Sequence, residues 1–220
     1  MAPNNIHDAA AIGDLETVMA LVDEDPDIID SLDSDKSRTA LHWASIFGHE
    51  KVVGYLLSRG ATIDRPQPCH HLTALILACS HGHSRVVDLL LRKGADPAYC
   101  SPRGGFTPLM FASANGNTGV VRRLVNHEWA RVTIDNGCDS GRTALWWACY
   151  WGHASVVSLL LLDGGADPSL ADYDNITPRE IARRTGHQDC LKLVQVSDGR
   201  KQGSIHPLVV LTDGHSLGMV

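Results

Sequence analysis

The chain has 220 residues, of which 44% are apolar and 20% are charged. This composition is typical of a folded protein with a substantial core, and it excludes a mostly disordered chain. The net charge of −6 argues against a broad nucleic-acid-binding surface, which needs an excess of basic residues. The charge is uneven, since residues 1–36 contain ten acidic residues and one lysine.

The sequence contains no recognisable signal for export or membrane insertion. The N-terminus lacks a basic segment followed by an apolar one, and no apolar run approaches the roughly 18 residues of a membrane span. Six cysteines form no CxxC pair. We therefore expect reduced thiols, a cytoplasmic or nuclear location and no membrane partner.

One motif recurs along the chain and sets its organisation. Threonines follow one another at intervals of 34, 34, 36 and 34 residues, at positions 39, 73, 107, 143 and 177. Each begins a similar string, such as TALHWASIFGH from Thr39 and TALWWACYWGH from Thr143. A degenerate earlier copy ends at Gly13. A period of this length predicts a repeat architecture.

Each repeat has the pattern of two helices followed by a turn. The threonine hydroxyl can cap the first helix, and the glycine of the motif can end it with a positive φ. The second helix carries apolar pairs four residues apart, such as Val52-Val53 and Leu56-Leu57, which share one face. One helix pair cannot bury its apolar face alone, so the units must stack.

The repeat resembles that of the ankyrin family, above all in Thr39-Ala40-Leu41-His42, Gly48-His49 and Gly94-Ala95-Asp96. The resemblance covers about residues 4–196. It implies an all-α repeat solenoid, an ankyrin stack of helix-turn-helix units with β-hairpin fingers and a concave recognition face. The six units are predicted at approximately residues 4–36, 37–70, 71–104, 105–140, 141–174 and 175–196.

Two departures from the repeat pattern stand out. The histidine that follows leucine at His42 is replaced in later units by Ile76, Met110 and Trp146, so its tethering role is in doubt there. Residues 197–220 lie outside the repeat, and we predict a loosely ordered tail. Its apolar run, Leu208-Val209-Val210-Leu211, leaves two alternatives open: a segment that docks on the last repeat, or an end introduced by an incorrect gene model.

Catalytic and metal-binding patterns are missing from the sequence. No nucleophile-elbow, zinc-protease or phosphate-loop motif occurs. Four histidines follow the repeat glycine, so the repeat pattern accounts for their presence. Equivalent positions in neighbouring units lie about 8–10 Å apart, which is too far for these histidines to bind one zinc ion together. The local cluster Cys69-His70-His71 lacks a fourth ligand. We therefore predict a protein that is not an enzyme and has no metal or cofactor.

The family resemblance implies that a protein partner binds at the finger tips and at the end of each first helix. The sequence therefore predicts a non-catalytic scaffold or adaptor, monomeric on its own. The side chains at these positions differ in size and polarity from one unit to the next. Exposed aromatic residues are the usual anchors of interfaces. The predicted binding residues are Ile46, Phe47, His81, Asn115, Tyr150 and Trp151 at helix ends, and Arg38, Phe106, Arg142 and Tyr173 on fingers.

An alternative function rests on four aromatic residues within one helix. Trp146, Trp147, Tyr150 and Trp151 could form a cage for methylated lysine or another cation through cation–π attraction. The register predicts that Trp147 lies in the core and that Trp146 is half-buried. Tyr150 and Trp151 are predicted at the open end of the helix.

Overall fold

The computed structural model describes residues 5–127 and 133–202. These residues form six pairs of α-helices, with a short 3₁₀ helix at Pro26–Asp30 after the first pair. In chain order the helices are α1 (Ile6–Ile12), α2 (Leu15–Glu24), α3 (Ala40–Phe47), α4 (Glu50–Ser58), α5 (Ala74–His81), α6 (Ser84–Arg92), α7 (Pro108–Ala114), α8 (Thr118–Val125), α9 (Ala144–Trp151), α10 (Ala154–Leu162), α11 (Pro178–Thr185) and α12 (Gln188–Gln202).

The helices form two layers. Each first helix packs against the first helices of the neighbouring units, and each second helix packs against the neighbouring second helices. One continuous core runs between the layers from Ile6 to Val194, with each unit contributing buried valine and alanine residues. Among the described helices, none has both the length and the apolar character needed to cross a bilayer.

The predicted caps of the first helices are present. In the five later units the threonine side chain accepts a hydrogen bond from the backbone N–H three residues on. This bond satisfies one of the donors that a helix N-terminus leaves unpaired. Pro108 and Pro178 occupy the first helical position, where a missing N–H costs nothing.

The glycine that ends a first helix meets the histidine of the next unit. Gly152 has a φ of 78°, and a Cβ atom there would lie 2.5 Å from Nδ1 of His187. The same ring donates from Nε2 to the carbonyl oxygen of Tyr150 at 3.1 Å. This carbonyl is one of those that a helix C-terminus leaves without an intrahelical partner.

The bond between units recurs along the stack. His49, His83 and His153 donate to the carbonyl oxygens of Ala11, Ile46 and Ala114 at 2.9, 2.7 and 3.0 Å. Asn117 fills the same position in the fourth unit. The periodic histidines therefore have the structural role that their spacing predicts, and the described residues contain no cluster that could hold a metal ion.

The fingers between units are tight turns. Each is closed by backbone hydrogen bonds, for example from Gln67 N to Leu72 O at 2.9 Å and from Ser101 N to Phe106 O at 3.0 Å. Neighbouring fingers also bond, from Tyr173 N to Ser140 O at 3.0 Å. The described residues contain no strand, so the expected β-hairpin fingers are hydrogen-bonded hairpin turns.

The C-terminal end of the array differs from the predicted boundary. Helix α12 continues to Gln202, six residues beyond the predicted end of the sixth unit at 196. It is the longest described helix, with 15 residues against seven to ten in the others. The rest of the predicted tail, residues 203–220, lies outside the described residues.

His42 is buried in the core as a neutral ring. Its Nδ1 accepts from the backbone N–H of Thr39 at 3.1 Å, and its Nε2 donates to the carbonyl oxygen of Arg65 at 2.9 Å. Burial, above all, lowers the pKa of His42 from 6.5 to about 4. Protonation would cost Nδ1 its acceptor role and place a charge in the core.

We expect His42 to make the free energy of unfolding depend on pH. The unfolded chain binds the proton below about pH 6.5, so the stability contributed by neutral His42 is complete above that pH and is lost as pH falls. The loss should reach about 3 kcal/mol at pH 4. Urea melts of wild type and His42→Ile, which copies Ile76, would measure it. A difference between the two proteins that is the same at pH 7 and pH 4.5 would contradict this role.

Candidate partner-binding surface

The predicted helix-end residues lie along one side of the first-helix layer. We call Ile46, Phe47, His81, Asn115, Tyr150 and Trp151 the helix-end stripe. Phe47 and Trp151 leave 50% and 54% of their surface exposed. His81 and Asn115 are exposed and Ile46 is half-buried. Ile12 occupies the same register in the first unit and is also exposed.

Phe47 rests on a platform built by its own unit. Its ring stacks on Trp43 at 6.0 Å between centroids and 7° between planes. The guanidinium of Arg38 lies 4.6 Å from the centroid of Trp43. The indole Nε1 of Trp43 donates to Asp33 at 3.1 Å. One face of Phe47 is thus supported, while half of its surface faces outward.

The fifth unit has similar residue types at the same register, although Trp151 packs edge-on against Tyr150 instead of stacking on Trp147. Arg142, Trp147 and Trp151 each follow Arg38, Trp43 and Phe47 by 104 residues. Arg142 lies 5.8 Å from the centroid of Trp147. We call the sets Arg38/Trp43/Phe47 and Arg142/Trp147/Trp151 the two aromatic platforms. In the units between them the outermost position is polar, at His81 and Asn115.

Trp146 and Trp147 exchange the environments predicted for them. Trp146 is 3% exposed and lies in the core, whereas Trp147 is half-buried. Trp146 occupies the register of His42, whose side chain points toward the next finger. The indole Nε1 of Trp146 donates to the carbonyl oxygen of Ile176 at 3.1 Å. The sequence left in doubt whether this unit keeps the side-chain hydrogen bond to the next finger. The bond is present, and it is made by an indole instead of an imidazole.

The aromatic cluster already contains a cation. The guanidinium of Arg142 lies 4.5 Å from the centroid of Trp146 and bonds to Asp172 at 3.1 Å. Tyr150 stacks on Trp146 at 5.3 Å with an angle of 11°. Arg142 and Tyr150 thus cover the indole that a methylated ammonium would use, which does not favour the cage alternative.

The predicted finger residues differ in how much surface they offer. Arg38 and Arg142 are half-buried against tryptophan rings. Phe106 is half-buried between Phe111 and Trp147, with centroids 5.5 Å away in both cases. Tyr173 is 77% exposed. Among the four, only Tyr173 has the exposure expected of a contact residue.

The two ends of the array carry opposite charge. The acidic residues of the first unit include exposed Asp8, Glu16 and Asp23. At the other end, Arg179, Arg183 and Arg184 are exposed on α11. The last two bond to Glu180, and those hydrogen bonds lower the pKa of its carboxyl to about 2. A partner that lies along the array meets acidic groups at one end and basic groups at the other.

The buried thiols do not have the environment of catalytic nucleophiles. Burial raises the pKa of Cys79 and of Cys149. A reactive cysteine needs the opposite shift, because the thiolate is the nucleophile. All six cysteines are free thiols.

Comparison with known proteins agrees with this architecture. The family described as ankyrin repeats (3 copies) matches residues 6–99 and 98–172. The chain belongs to the ankyrin repeat family. Ankyrin repeats are protein–protein interaction modules, typically without catalytic activity.

Individual relatives match parts or most of this ankyrin chain. Over 72 residues it is 42% identical to the Ankyrin repeat and KH domain-containing protein mask-1 of Caenorhabditis elegans, which is 33% of this chain and 3% of that protein. An ankyrin repeat domain from Acinetobacter baumannii has a TM-score of 0.75 and 29% identity, over 88% of this chain and 97% of that one.

A second solved structure shares the fold at lower identity. It is the complex of a predatory endopeptidase with an immunity protein from Bdellovibrio bacteriovorus. The TM-score is 0.75 and the identity 24%, over 89% of this chain and 99% of the matched chain.

We expect truncation of Trp146 to destabilise the protein more than truncation of Trp147. Trp146→Ala removes a buried indole and its bond to Ile176, and such changes typically cost about 3–5 kcal/mol. Trp147→Ala should cost clearly less, and Trp151→Ala below about 1 kcal/mol. Urea denaturation of the three variants provides the comparison. Equal losses for Trp146→Ala and Trp147→Ala would show that the burial assigned to these two side chains is wrong.

Proposed function

We propose that this protein is a non-catalytic adaptor that binds a partner protein along the helix-end stripe and at the finger of Tyr173. The observation that carries the proposal is the exposure of Phe47 and Trp151 on two aromatic platforms of the same register. Large aromatic side chains held on a rigid support are the usual energetic anchors of interfaces. The fold itself does not require aromatic residues there, since His81 and Asn115 occupy the same register in the units between.

The spacing of the platforms limits the shape of the partner. Phe47 and Trp151 are three units apart, and packed helices lie about 8–10 Å from one another, so the two anchors are about 24–30 Å apart. A partner that contacts both must present two apolar patches at that separation. Between them it meets His81 and Asn115, which suit polar contacts.

The charge distribution favours one orientation of the partner. Opposite charge at the two ends of the array steers a bound protein so that its basic region faces the first unit and its acidic region faces α11. Such steering affects the association rate more than the final affinity, and it weakens at high salt.

A cytoplasmic or nuclear location is part of the proposal. It is supported by the six free cysteines, because thiols in oxidising compartments tend to form disulfides.

Affinity capture with mass spectrometry tests the proposed surface. Wild type is compared with Phe47→Ala, Trp151→Ala and the double variant. Met19→Ala is the matched control, since Met19 is an exposed apolar residue on α2, outside the stripe. We expect the stripe's partner to be reduced by each single change and lost from the double variant, where two anchors of about 2 kcal/mol each would lower affinity roughly a thousandfold.

Two outcomes would contradict the proposed surface. In one, the double variant and wild type capture the same proteins. In the other, Met19→Ala loses the same partner as the double variant. Circular dichroism of each variant establishes that it is folded before the capture is compared.

A further inference from the structure

A groove of about 460 Å³ lies between α10 and α12, in the second-helix layer and away from the helix-end stripe. Its apolar wall is formed by Leu161, Leu162, Leu193 and Val196. Leu162 and Val196 are 63% and 58% exposed. Apolar surface of this kind costs free energy in water unless something covers it.

The repeat itself does not require this groove to be apolar. The equivalent groove two units earlier lies between α6 and α8, 70 residues back in register. There Arg92, Arg123 and Asn126 occupy the positions of Leu162, Leu193 and Val196. Asp88 pairs with both arginines, with Arg123 at 3.1 Å. The same fold position is therefore charged in one place and apolar in the other.

The composition of α10 strengthens this contrast. It contains six valine and leucine residues in nine and no charged residue, whereas α4, α6 and α8 each carry at least one charged residue. A helix that is apolar on all sides is usually covered on all sides. Helix α10 is covered by the core and by α8 and α12 but not along Leu162.

We infer that Leu208-Val209-Val210-Leu211 of the same chain docks in this groove. The run lies outside the described residues, and five residues separate it from the end of α12 at Gln202. Gln202 is six residues from Val196, about 9 Å along a helix, and a five-residue connection spans up to about 17 Å. The connection is therefore long enough to bring the run back to the groove.

The sequence around the run suits a return of the chain. The connection, residues 203–207, begins with Gly203 and ends with Pro207, and both residue types favour the end of a helix and a turn. The charges also agree with docking, because Asp213, which follows the run, is acidic and Lys192, which borders the groove, is basic. The groove supplies an apolar surface that matches the run in character, which favours the docking alternative over a loosely ordered tail.

Hydrogen exchange of the full chain, followed by mass spectrometry, tests the docking. In wild type we expect the amides of residues 208–211 to exchange at least tenfold more slowly than in an unstructured peptide of the same sequence. The variant Leu162→Arg with Val196→Asn copies the groove between α6 and α8 and should abolish that protection. Leu208→Ser with Val210→Ser should also abolish it while leaving α3 and α5 protected, which shows that the stack is folded.

Three results would overturn the inference. The first is exchange of residues 208–211 at the unstructured rate in wild type. The second is protection that persists in the Leu162→Arg, Val196→Asn variant. The third is protection that depends on protein concentration together with a dimer in sedimentation, which would assign the groove to a second copy of the chain. None of these results bears on partner capture by the helix-end stripe.

Discussion

The close approach of a histidine ring to the glycine of the preceding unit controls how the units of this protein stack. At Gly152 a side chain would collide with His187, so the backbone must combine a positive φ with an absent Cβ. The ring then bonds to the carbonyl of Tyr150. One contact ends a helix, satisfies its exposed carbonyl and sets the distance to the next unit.

This contact also explains where the candidate binding surface lies. The residue just before each glycine is the last of its helix, or in the fourth unit the C-cap Asn115, and it lies at the edge of the layer. Its side chain has no neighbour of its own in the core, so the fold accepts Phe47, His81, Asn115 or Trp151 equally. Positions that the stack leaves free are those where a recognition surface can change without loss of stability.

The features that the sequence predicts correctly are those determined by local or periodic patterns. The caps, the glycine positions and the role of the histidines after them depend on spacing within one unit or on its exact repetition. The prediction failed for Trp146 and Trp147, because the partner of Trp146 is a carbonyl 30 residues away in the next finger. Arg142 was predicted as a partner-binding finger residue, and its contacts with Asp172 and the indole rings were missed for the same reason: stacking of the units brings Asp172 to it.

Contacts within each unit hold the exposed rings of the two aromatic platforms in place, as the proposed binding role requires. Phe47 needs no rearrangement to present its outer face, since Trp43, itself in contact with Arg38, already supports the inner one. Trp151 packs edge-on against Tyr150 at 5.0 Å, and Tyr150 stacks on buried Trp146. Ordering a side chain on binding costs about 0.5–1.5 kcal/mol. A ring that is already held in place in the folded protein loses less conformational freedom on binding. In the fifth unit Arg142 and Tyr150 both pack on Trp146, and Tyr150 in turn supports Trp151, so the contacts that cover the Trp146 indole also help to hold the proposed anchor for a protein partner.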